Sequence, residues 1–281
     1  MSDQAVFIPA SSYSLEDLGD IFTRSFENYF YPGTTTAAVL AARTRVEQID
    51  LLRSLVLRVG EEPAGIALLA LRGDRAWCGG CGVMLPFRGR GLAHSLAAAM
   101  LDQARQAGAR TCMLEVLTRN QPALRTYLQA GFQPRRDLQI FEWRRPEEWP
   151  QPPAEQLDDG LREEARDWLL AHFAALHPAP AAWQRDLPAL LTRDGMRGLA
   201  LGEQGSTRAY GLLTPMPDGG ARIEDLAAES AAQATALLKL LQARFSRLVS
   251  VNEPADSPLT PAFGAAGFNE TDRQHELWVE L

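Results

Sequence analysis

Arg88-Gly89-Arg90-Gly91 stands between a stretch that reads as a strand, Trp77 to Leu85, and an Ala/Leu-rich stretch that reads as a helix to Ala107. A strand that enters a helix through glycines aims several backbone N–H groups at one point, and the helix dipole adds partial positive charge there. Such a turn suits the holding of an anion, phosphate above all, and Arg88 and Arg90 add full charges. It lacks the Gly-x-x-x-x-Gly-Lys-Ser/Thr of a nucleotide loop. It also lacks the dinucleotide fingerprint, whose three glycines are followed about 20 residues on by an acid. The other reactive types are Cys78, Cys81 and Cys112, too few and too odd in number for a disulfide framework. Cys78-Gly-Gly-Cys81 has the spacing of a redox or zinc pair, but no second pair exists and the histidines are scattered. Three residues apart on a regular strand, the two thiols point to opposite faces. Small buried thiols are expected, and no metal.

The elements that must position this turn follow from local patterns. Val6 to Ile8 is a short strand, and Ser14 with Asp17 caps an amphipathic helix from Leu15 to Phe26. Phe26 to Gly33 is an aromatic loop closed by Pro32-Gly33, and a second helix runs from Thr36 to Gln48. Ser54–Val59 and Ala64–Leu71 form a hairpin across Gly60 to Pro63. After the glycine turn and its helix come a strand Thr111–Leu117, a helix Pro122–Ala130 that starts at a proline, and a strand Leu138–Trp143.

A second motif lies in this last part: Asn120, Ala123, Tyr127, Gly131 and Phe132 fall in the spacing Asn-x-x-Ala-x-x-x-Tyr-x-x-x-Gly-Phe. Together with Arg88, Gly91 and Ala93, in the spacing Arg/Gln-x-x-Gly-x-Gly/Ala, it resembles the paired cofactor motifs of the GNAT family of N-acetyltransferases. The element order β-α-α-β-β-β-α-β-α-β is similar to that family's over residues 5 to 145. The resemblance implies an α/β (α+β) fold with a mixed, splayed sheet flanked by helices. It implies acetyl-CoA as cosubstrate, its pyrophosphate on Arg88, Gly89, Arg90, Gly91, Leu92 and Ala93. The backbone of Val83, Met84 and Leu85 would pair with the pantetheine arm, and Asn120 would fix that arm near the mouth. Gly79, Gly80 and Gly82 suit a bulge that begins the splay. One departure from the family is that Leu85 precedes Pro86 where the family usually has Pro two places after the strand's Val.

The chemistry implied is attack of an amine on a thioester. Tyr127 occupies the family's general-acid place, and a strand N–H near Met84 would hold the oxyanion. Phenol near 10 and thiol near 8.5 make the proton transfer uphill by about 1.5 units, or roughly 2 kcal/mol, an amount local electrostatics can offset. Glu115 stands in Leu-Glu-Val-x-x-x-Asn, a pattern that resembles the ribosomal-protein N-terminal alanine acetyltransferases, where the Glu is a base acting through water. The alternative is a salt-bridged strand residue. Deprotonating an α-amine at pH 7 costs about 1.4 kcal/mol against about 4.6 for a lysine, which favours an α-amine or another amine of lowered pKa. Glu27, Tyr29 and Asp50 are further candidates for acceptor contact. The acceptor is a small-molecule or peptide amine. A non-catalytic acyl-CoA-binding or regulatory module, and a mycothiol-synthase-like enzyme acting on a thiol-sugar amine, are the alternatives.

The chain has 281 residues, 46% of them apolar, enough for two cores. A formal charge of −7 argues against a nucleic-acid partner, and Lys239 is the one lysine. The first residues lack a signal pattern and no apolar run reaches spanning length, so a cytoplasmic monomer or homodimer without membrane attachment is expected. Residues 146–153 read as a Pro-rich linker between a catalytic domain, 1–145, and a second domain, 154–281. The second half faintly repeats the first, with Asn252 to Phe268 aligning on Val116 to Phe132. There Asp256 replaces Asn120 and Phe263 replaces Tyr127, and no Arg-x-x-Gly-x-Gly/Ala appears. Asp225 and Glu229 would repel phosphate. Tandem GNAT folds with a degenerate, non-catalytic C-terminal copy are the expectation, and His172, His177 and His275 are expected to be solvated or capping residues.

Overall fold

A computed structural model describes residues 5–31, 33–148, 160–203 and 206–281. Pro32 of the aromatic loop and residues 149–153 of the Pro-rich stretch lie outside the described residues. The chain forms two compact units, Met1–Arg135 with His275–Leu281, and Arg136–Gln274. They are not the two contiguous stretches expected from the linker, because residues 136–145 fall in the second unit and residues 275–281 in the first.

In the first unit come β1 (Ala5–Pro9), α1 (Leu15–Ser25), α2 (Ala37–Glu47), β2 (Leu55–Val59), β3 (Glu62–Arg72) and β4 (Arg75–Val83). They are followed by α3 (Leu92–Gln106), β5 (Thr111–Leu117) and α4 (Gln121–Gln129). The sheet order is β1-β2-β3-β4-β5, antiparallel as far as β4 and parallel from β4 to β5. Ser14 starts α1 with a capping box, its hydroxyl accepting the Asp17 N–H at 3.1 Å while the Asp17 carboxylate accepts the Ser14 N–H at 3.3 Å. The central β3 is buried along Ala64–Ala70, so its Gly-Ile-Ala-Leu-Leu-Ala run is apolar throughout and does not alternate. Its neighbour β4 is bulged: the register shifts between Leu68↔Gly80 and Leu69↔Cys78, leaving Gly79 as the extra residue. Here α1 lies close against the strand. A Cβ at Gly80 would come within 2.9 Å of the Phe22 ring, and one at Gly82 within 3.0 Å of the Phe26 ring. The glycines therefore set how near the aromatic end of α1 comes to the strand.

The bulge also corrects the expectation for the thiols. Cys78 pairs with Leu69 and Cys81 with Ala67, two β3 residues on one face, so the extra residue brings both thiols to the same side. Both pack in the core with Cys112, Leu114, Val116 and Tyr127. Burial pushes the Cys78 thiol up to about 12 and raises Cys81 and Cys112 as well, so all three are neutral near pH 7.

The second unit contains β6 (Gln133–Arg144) from residue 136, β7 (Leu161–Glu164), α5 (Arg166–Leu170), α6 (Phe173–Leu176) and α7 (Leu187–Thr192). These are followed by β8 (Arg197–Glu203), β9 (Ser206–Pro215), β10 (Ala221–Ala228), α8 (Ala231–Arg244), β11 (Arg247–Pro254) and α9 (Pro261–Ala265). Its sheet runs β7-β8-β9-β10-β11-β6, with β6 antiparallel to β11 from Arg144↔Arg247 to Leu138↔Pro254. The last strand, β12 (Asn269–Glu280), ends in the first unit, where Leu277 joins the core beside β5. Phe263 stacks on Phe141 of β6 with ring centroids 4.6 Å apart, an aromatic contact supplied by the exchanged strand.

His177 is a capping residue, the C-cap of α6 with its N–H donating to the Phe173 carbonyl at 3.1 Å, and its ring is not solvated. Its Nε2 lies 2.9 Å from Asp225 Oδ1 and its Nδ1 2.8 Å from the Phe173 carbonyl, so both ring nitrogens face acceptors. Burial opposes the charged ring, but the Asp225 carboxylate and the Phe173 carbonyl together outweigh it and raise the His177 pKa above 6.5. A group raised on folding stabilises fully below its unfolded pKa, and that stability is lost as pH rises through the folded value. Urea unfolding between pH 6 and 8 should therefore show stability falling with pH, and His177→Gln should flatten that slope. An equal slope in the variant would contradict the assignment.

Candidate active site

The first unit's site is built where β4 and β5 part. They pair at Arg75↔Thr111, Ala76↔Cys112 and Trp77↔Met113 and no further, although β4 continues to Val83 and β5 to Leu117. Beyond Trp77 two strands inside the sheet expose backbone groups to each other without a ladder, an arrangement that invites an extended ligand to complete it. Which groups face the gap follows from the other edge of β4. The Met84 N–H donates to the Ala64 carbonyl at 2.8 Å, which makes that pair hydrogen-bonded. Antiparallel alternation then turns the N–H and C=O of Val83 and Cys81 away from β3, toward β5. The Met84 N–H is thus committed to β3, while the strand N–H groups of Val83 and Cys81 near it face the gap. Cys81, singled out only as a thiol, offers its backbone instead. Leu85 opens a short 3-10 turn and its carbonyl accepts the Arg88 N–H at 3.2 Å.

The glycine turn follows directly. Gly91 is the N-cap of α3 with φ +75°, and Gly89 has φ +78°, backbone that side chains other than glycine rarely adopt. A glycine cap brings no side chain to the first N–H groups of the helix, so those of Leu92 and Ala93 are left for a ligand or water. Arg88 does not reach over this turn. Its Nε donates to the Val83 carbonyl at 2.7 Å, and its Nη2 to the Ser25 and Glu27 carbonyls at 3.1 and 3.0 Å. The guanidinium braces the end of β4 against the end of α1, where a cation also meets the negative pole of the helix. Arg90 is exposed and folds back on its own turn, donating to the Pro86 carbonyl at 3.1 Å over the Phe87 ring.

Tyr127 lies in α4 and is 8% exposed, its ring edge-on to Phe132 at 5.8 Å. Burial raises its phenol well above 10, and Cys81, Cys78 and Tyr29 are close enough to add to the effect. Among the described residues no hydrogen bond involves its hydroxyl. Asn120 caps the same helix, its side-chain oxygen accepting the Ala123 N–H at 3.4 Å, which leaves the amide NH₂ as the part a ligand can use. Glu115 is half-buried on β5 and its Oε2 accepts the Trp77 indole N–H at 2.9 Å. Alternation sets Glu115 on the opposite face of β5 from Leu114 and Val116, which share a core with Tyr127. Tyr127 and Glu115 therefore flank the gap from its two faces.

The aromatic loop after α1 lies beside this mouth. Tyr29 packs edge-on to Phe26 and Phe30 at 5.5 Å, and the Arg119 guanidinium sits 4.5 Å over Phe30 and 5.6 Å over Tyr31. Cation–π contact of this kind ties the loop to the segment before α4. The Glu27 side chain is exposed on the same loop. Asp50 is not at the site: its carboxylate accepts the Leu52 N–H at 2.9 Å and pairs with Arg53 at 2.8 Å in a local turn. Arg119 and Arg43, whose Nη2 donates to the bulge carbonyl of Gly79 at 2.7 Å, carried no motif signal.

The second unit repeats the parting but fills it. β10 and β11 pair at Ala221↔Leu248, Arg222↔Val249 and Ile223↔Ser250, and then separate. Across the opening lies Arg185, whose Nη1 donates to the carbonyls of Ile223 on β10 and Val251 on β11, both at 3.2 Å, and to Ser250 Oγ at 3.0 Å. Its Nη2 is 2.6 Å from the buried Glu253 carboxylate. The following helix, α8, is capped by Ser230, whose hydroxyl accepts the Gln233 N–H at 3.4 Å, where α3 has bare glycine. Asp225 lies beside this opening with its Oδ1 2.9 Å from His177 Nε2, and the guanidinium across the parted strands is the feature that the first unit lacks among the described residues.

Comparison with known proteins agrees with this geometry. A family model described as the acetyltransferase (GNAT) family matches residues 15–132. A GCN5-related N-acetyltransferase from Sphaerobacter thermophilus superposes with a TM-score of 0.69 at 17% identity, over 100% of this chain and 96% of that one. A tandem GNAT protein from the clavulanic acid biosynthesis pathway gives 0.65 at 16% identity, over 99% and 98%. A GCN5-related N-acetyltransferase from Anabaena variabilis gives 0.63 at 15% identity, over 98% and 72%. At such identity the likeness is one of fold. No curated protein matches the sequence. The family model thus covers the stretch that carries the parted strands and the glycine turn, and the whole chain has a fold like that of the tandem GNAT protein.

Proposed function

We propose that the first unit transfers an acetyl group from acetyl-CoA to a primary amine, and that the second unit is a non-catalytic copy. The observation that carries this is the parting of β4 and β5 immediately before an uncapped helix N-terminus, with a buried phenol beside the opening. Acetyl-CoA, when bound, supplies an activated acetyl thioester. The N–H groups of Leu92 and Ala93, with those of the Gly89–Gly91 turn, would hold its pyrophosphate. Val83 and Cys81 would hydrogen-bond the amide-bearing arm through their backbones, and Asn120 would contact it through its amide.

Tyr127 stays protonated across the neutral range because burial disfavours phenolate, so it has a proton to give a departing thiolate. The same burial raises thiols in this core, as Cys78 and Cys81 show, so phenol and thiol rise together and the transfer stays within reach. Glu115, on the other face, would attract the amine's cationic form and pass its proton to water. Tyr29 and Glu27 on the aromatic loop would border the acceptor. In the second unit, Arg185 holds the strand carbonyls that an incoming arm would need, and Phe263 stands where Tyr127 does without a transferable proton.

Tyr127→Phe should lower kcat by about 10²- to 10⁴-fold while acetyl-CoA affinity stays within about 3-fold, read by thiol release over a panel of amines and peptide N-termini. An unchanged kcat would remove the acid assignment. Titration calorimetry of the whole chain should give one acetyl-CoA per polypeptide, and two would contradict the closure of the second unit's opening.

A further inference from the structure

Trp77 is the last residue of β4 that pairs with β5, and its side chain is 2% exposed. A buried indole N–H must find an acceptor. Backbone carbonyls are the common choice; here the acceptor is the Glu115 carboxylate, two residues past the last paired position of β5 and at the start of the gap. The indole has room to reach it because the bulge residue beside it is glycine: a Cβ at Gly79 would lie 2.8 Å from Trp77 Cζ3. The Gly79 carbonyl is in turn held by Arg43 Nη2 at 2.7 Å, and Arg43 is paired with Glu47 at 2.9 Å on α2. A line of support thus runs from α2 through the bulge to the indole and on to the carboxylate.

From this geometry we infer that Trp77 is a positioning residue, which fixes the Glu115 carboxylate at the mouth of the gap toward the incoming amine. The inference rests on the acetyl-transfer function proposed above. An N–H given to a carboxylate restricts its rotamers and favours its ionised, acceptor-only form, which is the form an alkylammonium needs to meet. The ring fills the space that the missing side chains of the glycine-rich bulge leave, and its one polar atom is turned to Glu115.

Trp77→Phe keeps the ring and removes the N–H. With a good acceptor, kcat/KM for that amine should fall about 10- to 100-fold and its acidic limb should move up by about one pH unit. The acetyl-CoA dissociation constant should stay within about 3-fold. In a Glu115→Gln background the same change should add less than about 2-fold, because both act through one group. A Trp77→Phe enzyme with wild-type rate and pH profile, or an additive loss in the double variant, would overturn the positioning role alone. Full activity of Glu115→Gln would instead remove Glu115 from the reaction, and Trp77's role with it. If Trp77→Phe does not fold, the Trp77 indole ¹H–¹⁵N resonance of the wild-type chain supplies the test. It should move in Glu115→Gln and titrate with pH in the acid range, and a resonance that does neither would overturn the contact.

Discussion

The structure depends on a ladder that stops. Two parallel strands in the middle of a sheet separate after Trp77 and Met113, so backbone donors and acceptors that a sheet would ordinarily pair are turned toward an opening. Burying such groups unpaired costs about 1–3 kcal/mol each, so a protein that holds several apart must supply partners. The elements around the opening make sense as means of holding it. The Gly79 bulge and the close approach of α1 bend β4, and Arg43 and Arg88 tie down carbonyls on that strand.

The two units give two answers to the same constraint. In the second, the chain provides the partner itself, a guanidinium donating to carbonyls on both strands and balanced by Glu253. Glu253 lies deep enough that burial raises its carboxyl despite the nearby Arg185. In the first, Arg88 holds the Val83 carbonyl from the end of the strand, and the uncapped turn at Gly91 lies where the strand delivers it. The two units therefore differ in what lies across their parted strands.

Local patterns were legible in the sequence to within a residue or two. The capping box at Ser14, the hairpin into β3, the strand Thr111–Leu117 and the Pro-led α4 all form where spacing and turn chemistry place them. The glycine turn was legible because its backbone geometry excludes most side chains. What was not legible is whatever depends on register or on distant partners. Gly79, Gly80 and Gly82 signalled the bulge, but a period-two argument does not carry its consequence, that the inserted Gly79 reverses the facing of Cys81. Arg88 looks like a phosphate ligand by position and is used as a brace, because three carbonyls, of Val83 at the end of β4, Ser25 at the end of α1 and Glu27 just beyond it, lie within its reach. Arg185, His177 and the exchange of last strands carry no local signature at all, since each is defined by residues dozens of positions away.

The central claim is that the opening between β4 and β5 is completed by coenzyme A. Amide hydrogen exchange on the whole chain, with and without saturating coenzyme A, tests it residue by residue. Protection gained at Cys81, Val83 and Gly89–Ala93, with no change at 223–233 or 248–253, is the predicted result. Protection appearing in the second unit's opening, or no protection in the first unit at saturating ligand, would contradict the account.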